Sequence, residues 1–326
     1  MQNPSRMTPF TFLLFVSFLL HLSAVAYGSD QLVVGKTEIS TDTIWHGKIL
    51  VKGDVRVNKG ATLIILPGTE VMFERIEKFG PQKLSLDKAN HFPRAELIVR
   101  GRLIAQGLSD KMIVFTSAEE KPAIADWGAV NFIDSRDNIM EFCEISYGHT
   151  SVHCHSAQVL VSHCRFHDNG VAVGLKNIKG TTIKCSVPLL YNRIWANGGG
   201  ILIGGGASPV VSHNEISGNK FFGIFTKKSG PCSIRFNNIV GNGKGVILYA
   251  VEGLILRDNN ISDNLDYNIS LLEGQEQDVD ARHNWWGSTD PSRIKGLIRD
   301  KAQDKSLGKV DFSGFTVAPV QGAGVL

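Results

Sequence analysis

The second half of this chain repeats one short pattern. VSHNEISGNKFFGI (211–224) is followed by IRFNNIVGNGKGVI (234–247) and then by LRDNNISDNLDYNI (256–269). The copies align on Cys143, Cys164, Asn192, Asn214, Asn237, Asn259 and Asn284, so that successive anchors differ by 21, 28, 22, 23, 22 and 25 positions. Two residues after each anchor stands Ile145, Phe166, Ile194, Ile216, Ile239, Ile261 or Trp286. Five residues after the first six stands Gly148, Asn169, Asn197, Asn219, Asn242 or Asn264. A period in the low twenties restricts the chain to a solenoid or array, because each unit is too small to bury its apolar face alone.

The kind of solenoid follows from the strands. They are short and β-branched, bounded by Asn and Gly, and no stretch beyond the N-terminus keeps a helical period over three turns. A leucine-rich repeat has a similar period, but its L-x-x-L-x-L frame is missing. One coil of a parallel β-helix fits, with three strands and three turns per repeat and coils stacked about 4.8 Å apart. Each slot then stacks on the same slot of the next coil. Apolar slots make the core, and an Asn slot can pass hydrogen bonds from coil to coil while tolerating the left-handed backbone of tight turns. Less regular segments before the repeat, GDVRVNKGATLIILPGTEVMF (53–73), AELIVRGRLIAQG (95–107), MIVFTS (112–117) and DWGAVNF (126–132), extend the array to about ten coils.

These segments, with the closing HNWWGSTDP (283–291), resemble the right-handed parallel β-helix proteins of the pectate-lyase-like superfamily. They are similar, more narrowly, to exported bacterial β-helix proteins. The resemblance spans about residues 45–318. It implies an all-β, single-domain parallel β-helix and leaves activity open, since lyases, hydrolases, epimerases and adhesins share the fold.

The domain plan reads as an export signal over 1–28, a β-helix over 29–318 with an inserted loop at 75–94 and a C-terminal cap at 285–318, and a tail at 319–326. The signal has Arg6, the apolar run 10–26 and small residues Ala24, Ala26 and Gly28 for cleavage. The expected location is periplasmic or extracellular, with no membrane span after cleavage. Trp286 is expected to plug the last coil, with Ile294–Ile298 as part of a short helix or turn. Formal net charge is +3, without a basic block, which argues against nucleic acid as a partner. Five cysteines without a CxxC pair give neither a disulfide scaffold nor a haem attachment site.

For chemistry, the outward positions of the strand after each Asn pair read as Asn131 and Ile133, His153 and His155, Ala172 and Gly174, Leu202 and Gly204, Phe225 and Lys227, Ile247 and Tyr249, and Ser270 and Leu272. That face carries no paired carboxylates for glycoside hydrolysis and no oxygen cluster for calcium. Its apolar strip, Leu202, Phe225, Ile247, Tyr249 and Leu272 with Lys227 at the edge, reads as a docking surface for a polysaccharide or an envelope protein. Catalytic residues and cofactors are not identified. Acids elsewhere, Asp134, Asp137, Glu141, Glu144, Asp278 and Asp280, read mainly as solvated charge.

Two further readings stand beside docking. One is a polysaccharide lyase or hydrolase, implied by the superfamily resemblance. The other is periplasmic copper or zinc handling, implied by similarity to β-helix proteins of copper-site maturation and by a His/Cys-rich segment (143–167). In it, His153 and His155 share a strand face and could hold an ion with His149. Cys143 and Cys164 occupy one ladder slot in neighbouring coils, a spacing that permits either a disulfide or a reduced thiol stack.

Overall fold

The computed structural model describes residues 31–84 and 92–325. The export segment expected at 1–28 and residues 85–91 of the inserted loop lie outside the described residues. The chain runs strand after strand through three faces in fixed order, beginning Leu32–Val34, Thr37–Ile39, Thr43–Trp45 and returning to the first face at Lys48–Val51. This winding gives three parallel sheets of 10, 11 and 9 strands, called A, B and C here in order of first appearance. The strand counts agree with a right-handed parallel β-helix of about ten coils. The single helix among the described residues is Pro291–Gly296, opened by the side chain of Asp290 accepting from Ser292 N.

Inward side chains form one continuous apolar column. Val57, Val99, Phe132, Cys154, Leu175 and Ile203 stack along sheet B, and Ile145, Phe166, Ile194, Ile216, Ile239 and Ile261 along sheet A, none more than 2% exposed. Trp286 follows in the next slot, 1% exposed. Burying a side chain of this size contributes roughly 1.5–3 kcal/mol, and the regular period places one in every slot.

The asparagines form two ladders. Asn192 Nδ2 donates to Asn214 Oδ1 at 2.9 Å, Asn214 to Asn237 at 2.9 Å, Asn237 to Asn259 at 3.0 Å and Asn259 to Asn284 at 3.0 Å. The second ladder runs Asn169, Asn197, Asn219, Asn242, Asn264 with donor–acceptor distances of 2.8–3.1 Å. The left-handed residues are not the asparagines, contrary to the sequence expectation. They are the residues just before them, such as His213 (φ 57°), Phe236 (φ 55°), Asp168 (φ 55°) and Ala196 (φ 52°). Most of these Asn clamp the turn by donating back across it, as Asn237 does to Arg235 O at 2.9 Å and Asn197 to Trp195 O at 2.9 Å. A non-glycine residue in that region costs about 1–2 kcal/mol. The clamp and the ladder bond, worth about 1 kcal/mol each, offset it.

The side chains of those left-handed residues stack outside the corner. Phe142, His163, Tyr191, His213 and Phe236 form a five-ring column with centroid spacings of 4.8, 5.1, 4.9 and 5.2 Å. His167 stacks on Trp195 at 4.9 Å. Two histidines of the 143–167 segment thus belong to aromatic columns.

Cys143 and Cys164 do share a slot: Cys164 N donates to Asn192 Oδ1, as ladder asparagines do. Both are buried free thiols, bonded to the Ala105 and Met140 carbonyls at 3.4 Å.

Candidate functional site

Sheet B carries the polar chemistry. Its outward register runs Asn131, His153, Gly174, Leu202, Phe225, Ile247, Ser270 in one row. The row two residues on holds Ile133, His155, Lys176 and, further along, Gly204, Lys227 and Tyr249. The sequence register was displaced in one coil: the outward pair there is Gly174 and Lys176, while Ala172 is fully buried. The small residue after the turn shifted the count.

His153 and His155 project from the strand Thr150–His155 with ring centroids 4.1 Å apart. His155 is 1% exposed; His153 keeps one edge at the surface. Gly174 makes the space for His153, since a Cβ there would stand 2.9 Å from His153 Cδ2. Phe92, from the described end of the inserted loop, packs on His153 at 4.8 Å and on His149 at 5.1 Å. His149 does not complete a ligand set, and among the described residues no three His, Cys, Asp or Glu side chains form one.

Behind the imidazoles lies a chain of buried polar groups. His155 Nδ1 is 3.0 Å from Asn131 Oδ1, and Asn131 Nδ2 donates to Glu96 Oε1 at 2.9 Å. Because the amide nitrogen is spent on Glu96, its oxygen faces His155, which must donate from Nδ1. His155 Nε2 is then a bare lone pair, and both it and His153 Nδ1 are enclosed without a hydrogen-bond partner among the described residues. Burial, and then Lys176, drive His155 down to about 3. Burial, followed by the charges of His155, Lys176 and His149, puts His153 well below its usual range. Both rings are therefore neutral at ordinary pH.

Glu96 does not stand alone. Asp54 and Glu96 precede paired strands (Val55 opposite Leu97), so the two carboxylates occupy one slot in successive coils. Both are fully buried. Lys83 from the inserted loop reaches Asp54 at 2.8 Å and Glu96 at 3.2 Å and also donates to Arg94 O. Burial raises the Asp54 carboxyl despite this ammonium. The sequence reading missed this cluster, although the acid before each strand was visible. What it lacked was knowledge that the loop folds back to cover the slot.

The apolar strip is also in place, in part. Phe225, Lys227, Tyr249 and Leu272 meet Glu273 and Arg299 around a groove of about 450 Å³. Leu202 is half-buried outside it, and Ile247 is only 9% exposed. The acids are engaged elsewhere. Asp134 pairs with Lys59 and Glu144 with Arg165. Asp278 accepts from Lys309 N at 2.7 Å. Hydrogen bonds first from Arg282 and then from Arg257 hold Asp280 well below the usual carboxylate range.

No match is found among curated proteins. Among solved structures, the Azotobacter vinelandii mannuronan C-5 epimerase AlgE6 A-module is similar at 12% identity over 90% of this chain and 92% of that chain, with a TM-score of 0.40. Residues 116–279, just over half of the 326, match the family described as periplasmic copper-binding protein (NosD), and the chain belongs to that family.

Proposed function

We propose that this protein is a periplasmic binding protein that carries copper as cargo, held by the imidazoles of His153 and His155. The single observation behind this reading is the pair of neutral rings with two enclosed nitrogens that find no hydrogen-bond partner among the described residues. Buried polar atoms are ordinarily partnered, and an orphaned pair costs stability unless something fills it. The family's description as periplasmic and copper-binding supports the choice of metal and compartment. Imidazole suits copper and zinc. Zinc prefers four ligands, and a three-residue cage is missing among the described residues. The two imidazoles supply part of a copper coordination shell, and the cuprous state, which needs the fewest ligands, is the one to test. Asn131 and Glu96 would fix the ligating tautomer of His155, as outer-sphere carboxylates and amides do for metal-bound imidazoles.

The test is an anaerobic titration of the mature protein with cuprous ion against a chromogenic cuprous chelator. One equivalent should be retained by the wild type and lost in a variant with His153→Ala and His155→Ala. Release of all copper to the chelator by the wild type would end the proposal.

A second reading is docking of a glycan or an envelope protein at the groove of Phe225, Lys227, Tyr249 and Leu272. The observation favouring it is two aromatic rings and two cations around one concave surface, the composition of recognition sites. A glycan array with wild type and a Phe225→Ala, Tyr249→Ala variant tests it. Signals equal in the two proteins would remove this reading.

A further inference from the structure

The C-terminal end of the solenoid holds a cavity unconnected with the histidine pair. It has a volume of about 500 Å³, within the range of small-molecule sites. Its apolar lining includes Ile298, Val310 and Phe312. Ile298 and Val310 are almost fully buried, and Phe312 packs on the core from its edge. Around this lining stand Lys295, Lys301, Lys305 and Lys309. All four are exposed, and none has an ion-pair partner among the described residues.

Two acids in the lining, each also bonded to backbone N–H groups, neutralise them only in part, with Lys309 acting on Asp311 through space. Asp300 is 8% exposed, and its carboxylate accepts from Ala302 N and Val310 N, each at 2.9 Å. Asp311 accepts from Ser313 N at 3.0 Å and lies 4.0 Å from Arg282. Four ammonium groups against two carboxylates leave the lining with a net charge of +2 around an apolar surface. Like charges so placed repel, and a bound anion relieves the repulsion. The apolar lining adds a demand for a hydrocarbon body.

We infer that this cavity is a binding site for a small amphiphilic anion, a single-chain phosphate monoester or carboxylate, with the head group among the lysines and the chain on Phe312 and the apolar stems of the lysines. The lysines have one competing use. The strand Ile298–Arg299 is the terminal strand of sheet B, and lysines on a terminal strand prevent edge-to-edge pairing.

The experiment uses the full mature chain and dodecyl phosphate below its micellar concentration, followed by calorimetry. One site should be found. Binding should weaken at least tenfold in Lys301→Glu with Lys305→Glu, and also in Ala302→Phe, which fills the cavity from an exposed position without charge change. A C12 maltoside of no charge should bind at least tenfold more weakly. Equal binding of the uncharged detergent would overturn the inference. So would binding only to anionic phospholipid vesicles and not to the monomeric amphiphile. Absence of binding, with self-association appearing in the double variant, would assign the lysines to edge protection alone and would also overturn it.

Discussion

The Nδ1–H of His155 is held by Oδ1 of Asn131 at 3.0 Å, and this contact decides which nitrogen of the imidazole is free. Asn131 is a positioning residue here, set in turn by Glu96. Replacing it by Ala should lower cuprous affinity by about 10–100-fold, the usual effect of removing an outer-sphere partner. The chelator competition reads this directly. An unchanged affinity would mean that His155 is oriented by packing alone.

Gly174 gives a steric test of the same site. Gly174→Ala places a Cβ about 2.9 Å from His153 Cδ2, and the ring must move. Copper affinity should fall at least tenfold (roughly 1.4 kcal/mol), while the urea midpoint stays near that of the wild type. A large loss of stability with unchanged affinity would contradict this account of the glycine.

Acid should destabilise the fold through the histidines. The folded state holds His155 down at about 3, from an ordinary 6.5. Below about pH 6.5 the unfolded chain takes up a proton that the folded chain refuses, so stability falls as pH drops from there towards 3. The loss is about 1.4 kcal/mol per pH unit, or about 2 kcal/mol at pH 5. His153 adds to it in the same direction. The raised Asp54 carboxyl works oppositely, so the comparison must be made between wild type and His155→Asn by urea unfolding at pH 7.5 and 5.0. The variant should lose less. Equal losses would place the acid sensitivity elsewhere.

Lys83 pairs with two fully buried carboxylates, Asp54 at 2.8 Å and Glu96 at 3.2 Å. Lys83→Met should cost about 3–5 kcal/mol at neutral pH, the penalty of leaving buried charge without its partner. Part of the loss should be recovered on acidification as the carboxylates protonate. A neutral effect would show that the loop is dispensable to the core of the coil beneath it.

Asn237→Ala removes donors to Val211 O, Arg235 O and Asn259 Oδ1, leaves Asn214 N without its acceptor and takes one of three acceptors from Asn214 Nδ2. The expected cost is about 2–4 kcal/mol, measurable by urea denaturation. A loss below about 0.5 kcal/mol would mean that water replaces the ladder amide.

The fold was legible because a repeat states its own register. Once Asn237 and Asn259 are aligned, the isoleucines two residues on must stack, and Trp286 in the last such slot must close the column. The shared face of His153 and His155 followed from strand alternation alone. Three things did not follow. Ala172 was placed outward because a single small residue gives no polarity cue to the register. The left-handed corner was assigned to asparagine by its intrinsic tolerance, yet tertiary clamping lets His213 and Phe236 occupy it. Finally, Asp54 and Glu96 look solvent-facing in the sequence. Only the returning loop, which shares no period with the repeat, turns them into an interior site.

The ladders have a consequence for geometry along the axis. A column of identical slots has no preferred length, since every coil presents the next with the same acceptor and the same bed of isoleucine. The separation between the imidazole pair and the groove of Phe225 and Tyr249 is therefore set by counting coils. Inserting one whole repeat between Gly174 and Leu202 would move the two apart by about 4.8 Å and leave the chemistry of each untouched. The solenoid acts as a ruler, graduated in single strands, on which the histidine pair and the groove can be spaced independently.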